Sequence, residues 1–177
     1  MNIAEEIRAR ARRANRRVVF PEGGDQRIRQ AAASLAADGL ARPVLIDAGG
    51  VSSPPAGVEV VRPASDPRLE TFAAEYFELR KAKGVSEEEA AQRVADPLVF
   101  GAFLIRSGDC DAGVAGAAST TADVLRAGIQ VIGTAPGIRT VSSSFLMITD
   151  EGPLTYADCG VVPDPDAEQL VDIALRS

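Results

Sequence analysis

Small residues and hydroxyl groups precede a predicted helix in the last third of the chain, and this combination could bind an anion. Residues 113–118 are glycine, alanine and valine, residues 119–121 carry hydroxyls, and the following helix carries Arg126. Glycine and alanine let a ligand approach the backbone, and the first N–H groups of a helix have no intrahelical partner. Ser119 and Thr120 would add hydroxyl donors. The pattern therefore favours a phosphate group as the ligand.

An ordinary strand, loop and helix N-cap would contain the same residues, so this alternative stays open. Serine and threonine are preferred N-caps, and Asp123 suits the first turn of a helix. The sequence has no GxxxxGK[ST] motif, which excludes a P-loop. It also has no GxGxxG after a strand, so the dinucleotide fingerprint is missing as well.

The chain contains no histidine. It therefore lacks the side chain that most often acts as a general base near neutral pH and most often binds transition metals. Ser–His–Asp and Cys–His chemistry are excluded within these residues, and we predict no metal site. Catalysis would rely on arginine, carboxylates, hydroxyls and backbone dipoles. For Glu22 and Asp25, turn and cap chemistry is preferred over orienting an arginine or acting as a base.

Charge and hydropathy narrow the class of partner. The 19 basic and 25 acidic residues give a formal charge of −6, which argues against nucleic-acid or membrane-surface binding. No run of about twenty apolar residues occurs and the amino end lacks a secretory signal, so we expect a soluble, cytoplasmic protein. Cys110 and Cys159 are expected to be reduced, buried thiols. Small molecules are the favoured partners.

Strand and helix signals alternate near the amino end. Residues 17–20 form a predicted strand, and Asp25 is placed to cap a helix that runs to about Asp38 and stops at Gly39. Residues 43–46 form the next strand. Strand, helix and strand within about thirty residues make a βαβ unit, which closes right-handed into a parallel sheet. The sequence therefore predicts an α/β fold with three layers, a mostly parallel twisted sheet flanked by helices.

The remaining elements place the candidate anion site after a strand. Helices are also predicted over 2–14, over 67–83, from Ser86 with a capping box to Glu89, from Asp96 and Pro97, over 121–132, and from residues 164–166. Strands are predicted over 58–61, 111–115, 141–148 and 154–158, with a hairpin through residues 149–152. A buried strand over 111–115 would carry the small residues to the edge of the sheet.

Several stretches are informative because of their order along the chain. They are VVFPEGGD (18–25), LRKAKG (79–84), STTADVLR (119–126), TVSSSF (140–145), YADC (156–159) and PDPDAEQL (163–170). No single stretch is specific. Together they resemble the phosphate acetyltransferase and phosphate butyryltransferase family, and the resemblance covers nearly the whole chain.

The resemblance implies transfer of an acyl group between coenzyme A and inorganic phosphate, with acetyl-CoA as a substrate and no permanently bound cofactor. It implies two α/β domains similar to the isocitrate and isopropylmalate dehydrogenase fold, and usually a homodimer. Residues 1–148 would be the first domain and residues 149–177 the start of the second. The family's catalytic serine, arginine and aspartate would belong to an absent carboxyl-terminal half, so we expect little activity from this chain alone.

The resemblance assigns Arg126 and Arg80 to phosphate or coenzyme A binding, although spacing alone would make Arg80 a surface charge. Ser142 and Ser143 would donate hydrogen bonds to phosphate or to the developing oxyanion, or pack as small strand residues. We expect direct attack within a ternary complex, because neither cysteine lies at an electropositive helix start.

Other functions also stay open. A non-catalytic domain that senses coenzyme A or acyl-CoA, as relatives fused to malic enzymes imply, would have the same fold. A dehydrogenase of the isocitrate or isopropylmalate type would need clustered aspartates for a divalent metal, and no such cluster is visible. The acyl group is not determined, because one methylene in a pocket is worth only about 1 to 3 kcal/mol. The apolar end of the last helix would need a second copy or the missing half as a partner.

Overall fold

The computed structural model describes residues 3–51 and 53–177, which form two compact units. The larger unit is Ile7–Gly133, and the smaller consists of Thr134–Ser177 with residues 3–6. The boundary between the units therefore precedes residue 148, where the sequence analysis placed the end of the first domain. How the units correspond to the domains of a longer protein stays a prediction.

A parallel sheet forms the centre of the larger unit. Its strands are β1 (Arg17–Phe20), β2 (Arg42–Ile46), β3 (Glu59–Val61) and β4 (Ala112–Gly113). Their order is β3-β2-β1-β4, and every neighbouring pair is parallel. A helix separates β1 from β2 along the chain, so the predicted βαβ unit and α/β fold are confirmed.

The helices begin where the sequence signals place them. The described residues form α1 (Ile3–Ala14), α2 (Gln26–Ala37), α3 (Leu69–Arg80), α4 (Glu87–Val94), α5 (Pro97–Arg106), α6 (Thr121–Ala127), continued by a π-helical turn over Gly128–Ile132, and α7 (Ala167–Arg176). Asp25 caps α2, Ser86 and Glu89 form a capping box on α4, and Asp96 caps α5. Each cap satisfies backbone N–H groups that the helix leaves unpaired.

Helix α5 is apolar on every side and lies in the core. Phe100, Phe103 and Leu104 are fully buried, and Val19 of β1 packs in the same cluster. The next residue, Phe20, points to the other face of the sheet and packs in the cluster that includes α2. The sheet is thus covered on both faces, as a parallel sheet requires. Burial of each such side chain contributes about 1.5–3 kcal/mol.

The prediction of a buried strand over residues 111–115 is wrong. Strand β4 contains only Ala112 and Gly113, and both are exposed. It pairs with β1 along one side, and no strand pairs with its other side among residues 3–51 and 53–177. Gly113 is closely packed, because a Cβ there would lie 3.0 Å from Ile105 Cδ1 and 3.2 Å from Val19 Cγ1, and these side chains would have to shift to admit it.

The smaller unit contains an antiparallel hairpin and α7. Its strands are β5 (Ser144–Thr149) and β6 (Gly152–Ala157), and Thr149 lies opposite Gly152 in the predicted hairpin. Phe145 and Tyr156 face each other across the hairpin and are 60% and 57% exposed. The hairpin therefore carries a large apolar surface that its own unit leaves uncovered.

Cys110 is buried, Cys159 is half-buried, and both thiols are free. Burial raises the pKa of the Cys110 thiol, which keeps it protonated near neutral pH. In the part of the chain that the structure describes, no helix has the length and apolar character needed to cross a bilayer.

Candidate functional site

The order of the strands creates a crevice at the carboxyl edge of the sheet. From β1 the chain moves to β2 and β3 on one side, and then returns through α3, α4 and α5 to β4 on the other side. The connections that leave β1 and β4 therefore diverge, and open α/β sheets bind ligands at such a point. The residues at this crevice are 21–25, after β1, and 114–120, after β4.

The carboxylate of Glu22 binds the loop that follows β4. Its Oε2 accepts hydrogen bonds from the backbone N–H groups of Gly116 (3.0 Å) and Ala117 (2.8 Å). Its Oε1 accepts from those of Ala118 (2.9 Å) and Ser119 (2.7 Å). The backbone N–H groups of the small-residue loop, which a phosphate was expected to approach, therefore already have a partner, whereas the first N–H groups of the helix itself are not among the partners of Glu22. A carboxylate on the same chain reaches them without the entropic cost of capturing a separate ion.

These hydrogen bonds fix the charge of Glu22. Partial burial alone would raise its pKa, but hydrogen bonds from Ala118, Ala117 and Ser119 stabilise the carboxylate more strongly, so the pKa is lowered. Glu22 is therefore ionised near neutral pH and fully engaged. This favours the turn role over that of a general base.

A second contact holds the same loop through a backbone carbonyl oxygen instead of an N–H group. Arg27 Nη2 donates to the carbonyl oxygen of Ala117 at 2.7 Å and pairs with Asp25 Oδ2 at 2.6 Å. The side-chain hydrogen bond from Arg27 lowers the pKa of Asp25 to about 2. Asp25 thus caps α2, as predicted, and also anchors the arginine that binds the loop.

The turn that carries Glu22 depends on a close backbone contact. The Gly23 N–H donates to the carbonyl oxygen of Ile46, at 3.1 Å. A Cβ at Gly23 would lie 2.4 Å from that same oxygen, so only glycine fits. The ends of β1 and β2 are therefore locked together beside the crevice.

Ser119, Thr120 and Arg126 line one hollow of about 350 Å³, together with Arg93 of α4 and residues of α3 and α5. We call it the α6 hollow. One of its walls is closed by Tyr76, whose hydroxyl donates to Gln130 Oε1 at 2.8 Å. The structure therefore brings together the three candidate residues that the sequence analysis placed at the start of this helix.

The polar groups of these residues also bond to each other. Thr120 is the N-cap of α6: its Oγ1 accepts from the Asp123 N–H at 3.2 Å and donates to Asp123 Oδ2 at 2.6 Å. Arg126 Nη1 pairs with Asp123 Oδ1 at 2.7 Å. The Thr120 hydroxyl is thus engaged in the capping role that the sequence left open. Arg126 is 56% exposed and keeps further N–H donors for a ligand.

Sequence reasoning missed Arg93. Its side chain is exposed on the wall of the α6 hollow, and it has no hydrogen bond or ion pair within the described part of the chain. The other charged groups of this wall are Asp96, Asp123 and Arg126. No local signal marks Arg93, because α4 and α6 come to line the same hollow only in the folded chain.

The remaining candidates lie elsewhere. Arg80 ends α3 and is not on the wall of the α6 hollow; its buried Nε has no hydrogen-bond partner in residues 3–51 and 53–177. Ser142 and Ser143 belong to the smaller unit. The Ser143 hydroxyl donates to Asp158 Oδ1 at 2.7 Å and accepts from the Cys159 N–H at 3.0 Å, so its one O–H donor is already used.

A second hollow of about 480 Å³ adjoins the first. It lies between the turn after β1, the residues after β2 and the start of α5, and it shares Asp96, Leu98, Ala118 and Ser119 with the α6 hollow. We call it the β1–β2 hollow. Both volumes fall in the range of small-molecule sites, about 300–1,000 Å³. Among the described residues, no group of three or more side chains is arranged to hold a metal ion.

The family model for phosphate acetyl/butaryl transferase matches residues 2–177. The chain belongs to this family. Among curated phosphate acetyltransferases, those of Acetivibrio thermocellus and Paracoccus denitrificans are 37% and 40% identical to it, and each match covers the whole chain. A phosphotransacetylase crystal structure from Streptococcus pyogenes superposes on 99% of the chain with a TM-score of 0.88 and 30% identity.

The phosphate acetyl/butaryl transferase resemblance and the α/β fold class are thus confirmed. The chain spans only 57% and 56% of the length of the two curated relatives, and 57% of the solved chain. It matches the portion of the family that the sequence analysis identified as an amino-terminal half.

Proposed function

We propose that this chain is the part of a phosphate acyltransferase that binds anionic substrate groups. In the proposed reaction an oxygen of inorganic phosphate attacks the carbonyl carbon of acetyl-CoA. A carbon–oxygen bond forms, the carbon–sulfur bond breaks, and coenzyme A leaves as a thiolate. The observation that carries the proposal is the placement of Arg93 and Arg126 around one hollow that borders the strand switch point through residues 118–120, in a family member.

Positive charge is what this reaction needs most. Phosphate and coenzyme A are both anions, and holding them beside one carbonyl can supply about 7–11 kcal/mol of the barrier through proximity and orientation. Arginine suits the task because its planar group binds phosphate oxygens bidentately and stays charged. Asp123 already compensates Arg126. Arg93 is therefore the arginine of this hollow whose charge no carboxylate neutralises among the described residues.

The finer assignments rest on the family resemblance. Arg80, whose buried Nε is unpaired within the described residues, is proposed to bind coenzyme A or phosphate. Ser142 and Ser143 are proposed to donate hydrogen bonds to phosphate or to the developing oxyanion, which for Ser143 requires its hydroxyl to leave Asp158 Oδ1. No permanently bound cofactor is required, and coenzyme A and acetyl-CoA enter as substrates. We place the reaction in the cytoplasm.

The exposed apolar residues of the smaller unit support a protein partner. Phe145 and Tyr156 on the hairpin and Leu175 on α7, which is 72% exposed, are the clearest cases. We propose that a second copy of the chain, or the further length that the relatives possess, covers them. The family's catalytic groups would come from that further length, so we expect little turnover by these residues alone.

Two measurements on the purified chain test this function. Titration calorimetry with coenzyme A, acetyl-CoA and inorganic phosphate should show binding, and a coupled assay for acetyl phosphate should show little or no turnover. Rapid turnover would contradict the half-enzyme proposal. Binding without any turnover, even when the carboxyl-terminal part of a relative is added, would favour a domain that senses coenzyme A. Absence of all binding would overturn both.

A further inference from the structure

We infer that Glu22 is a positioning residue that holds residues 116–119 in the conformation that presents Ser119 and Thr120 to the α6 hollow. The carboxylate acts on the site through the backbone N–H groups of residues 116–119 and through the side chain of Ser119, and it touches no substrate. The part of this inference that concerns ligand affinity rests on the proposed function; the part that concerns the loop does not.

The contact is specific because each carboxylate oxygen binds two neighbouring amides. Donors from Gly116 and Ala117 converge on Oε2, and donors from Ala118 and Ser119 converge on Oε1. One side chain at the end of β1 thereby orders four successive residues after β4. Charged acceptors make the stronger class of protein hydrogen bonds.

The loop has few other ways to hold its shape. Residues 116–118 are glycine and alanine, which offer no side chain long enough to anchor them. Gly116 has a φ of +107°, a conformation that other residues rarely adopt. A further contact runs from Arg27 Nη2 to the Ala117 carbonyl oxygen. Without Glu22 these amides would face water, and the loop would sample other conformations.

The loop leads directly into the site. Ser119 is followed by Thr120, the N-cap of α6, and Thr120 bonds to Asp123, which in turn pairs with Arg126. A shift in residues 116–119 is therefore passed to the cap and to the guanidinium. Because Glu22 occupies the N–H groups of residues 116–119, these four amides do not take part in anion recognition in the α6 hollow.

Substitution of Glu22 tests the inference in the full chain. Glu22→Gln keeps the shape but turns an NH₂ group toward backbone donors, and Glu22→Asp keeps the charge. Glu88→Gln is the matched control, because the Glu88 side chain is exposed and has no hydrogen bond or ion pair among the described residues. We would measure amide hydrogen exchange by NMR, far-UV circular dichroism, and the affinity for coenzyme A and for inorganic phosphate by calorimetry.

The expected result is a local effect in a folded protein. In Glu22→Gln, the amide hydrogens of residues 116–119 should exchange about tenfold faster or more, and the amide NMR resonances of residues 120–123 should change their chemical shifts. The affinity for coenzyme A and for inorganic phosphate should fall several-fold. Glu22→Asp should restore part of both, and Glu88→Gln should change neither. If Glu22→Gln does not fold, Glu22→Asp against wild type carries the same comparison.

Two results would contradict the inference, and a third would contradict the proposed function. Unchanged exchange at residues 116–119 would show that the carboxylate does not order the loop. Faster exchange with unchanged affinity would show that the loop does not position the site. If the wild-type chain binds neither coenzyme A nor phosphate, the proposed function fails instead, and the shift of residues 120–123 then decides whether Glu22 acts beyond the loop.

Discussion

Asp123 and Arg126 form an ion pair on the wall of the α6 hollow, with Oδ1 and Nη1 2.7 Å apart. They are three residues apart on one helix, where opposite charges attract weakly when exposed. Here the same carboxylate also accepts a hydrogen bond from the Thr120 hydroxyl, and these hydrogen bonds from Thr120 and Arg126 lower its pKa. Asp123 therefore organises the site and reduces its positive charge.

Removing that negative charge should strengthen anion binding. In Asp123→Asn the backbone N–H still donates to Thr120, so the cap of α6 persists, while Arg126 loses its compensating carboxylate. We expect affinity for inorganic phosphate to rise several-fold, measured by titration calorimetry at low ionic strength, where charges are least screened. Asp150→Asn, an exposed change in the hairpin turn, should leave affinity unchanged. Weaker binding by Asp123→Asn would contradict this role.

Arg93 and Arg126 should each be needed for binding. Removal of one charge-assisted hydrogen bond costs about 1.5–3 kcal/mol, so Arg93→Ala should weaken phosphate or coenzyme A binding about tenfold or more. Arg126→Ala should weaken it further, because it also leaves Asp123 unpaired. The control is Arg13→Ala on α1, an exposed arginine whose side chain has no hydrogen bond or ion pair among the described residues. Equal affinities for Arg93→Ala and Arg13→Ala would remove Arg93 from the site.

Gly23 and Gly24 offer a matched pair for the turn after β1. A Cβ at Gly23 would lie 2.4 Å from the Ile46 carbonyl oxygen, whereas one at Gly24 would have nothing within 4 Å. We expect Gly23→Ala to lower the free energy of unfolding by about 1–3 kcal/mol, the usual cost of overpacking. Gly24→Ala should be near neutral. Urea denaturation measures both, and similar losses in the two variants would show that the contact is not limiting.

The acid dependence of stability should carry the signature of Glu22. Burial raises the pKa of Glu22 in the folded chain, but the hydrogen bonds from residues 117–119 outweigh burial. The pKa is therefore lowered from the ordinary 4.5. A depressed carboxylate pKa contributes stability that is present above the unfolded value and is lost as pH falls through the folded one. The free energy of unfolding should therefore decrease as the pH falls below about 4.5. Glu22→Gln should flatten this loss, and an unchanged slope would contradict the assignment.

Local features of the fold could be predicted from sequence. The cap at Asp25, the capping box at Ser86 and the stop at Gly39 depend on bonds between residues a few positions apart, and the structure has all three. The hairpin through residues 149–152 was predictable for the same reason. The burial of residues 111–115 was not, because exposure at a sheet edge depends on which strands pair.

The candidate site likewise has a part that the sequence could predict and a part that it could not. Its residues on one stretch of chain, Ser119, Thr120 and Arg126, could be found from their order, and the family resemblance from the motifs around them. The sequence alone thus determined the α/β class, the helix start and its hydroxyl and guanidinium groups. Tertiary structure decided what these groups meet: Glu22 reaches amides more than ninety positions away, at separations of 94 to 97 residues. Arg93 and Arg126 line one hollow only because helix packing places α4 and α6 around it. Such partners depend on the strand order and on helix packing, which set distances in space that no sequence spacing encodes.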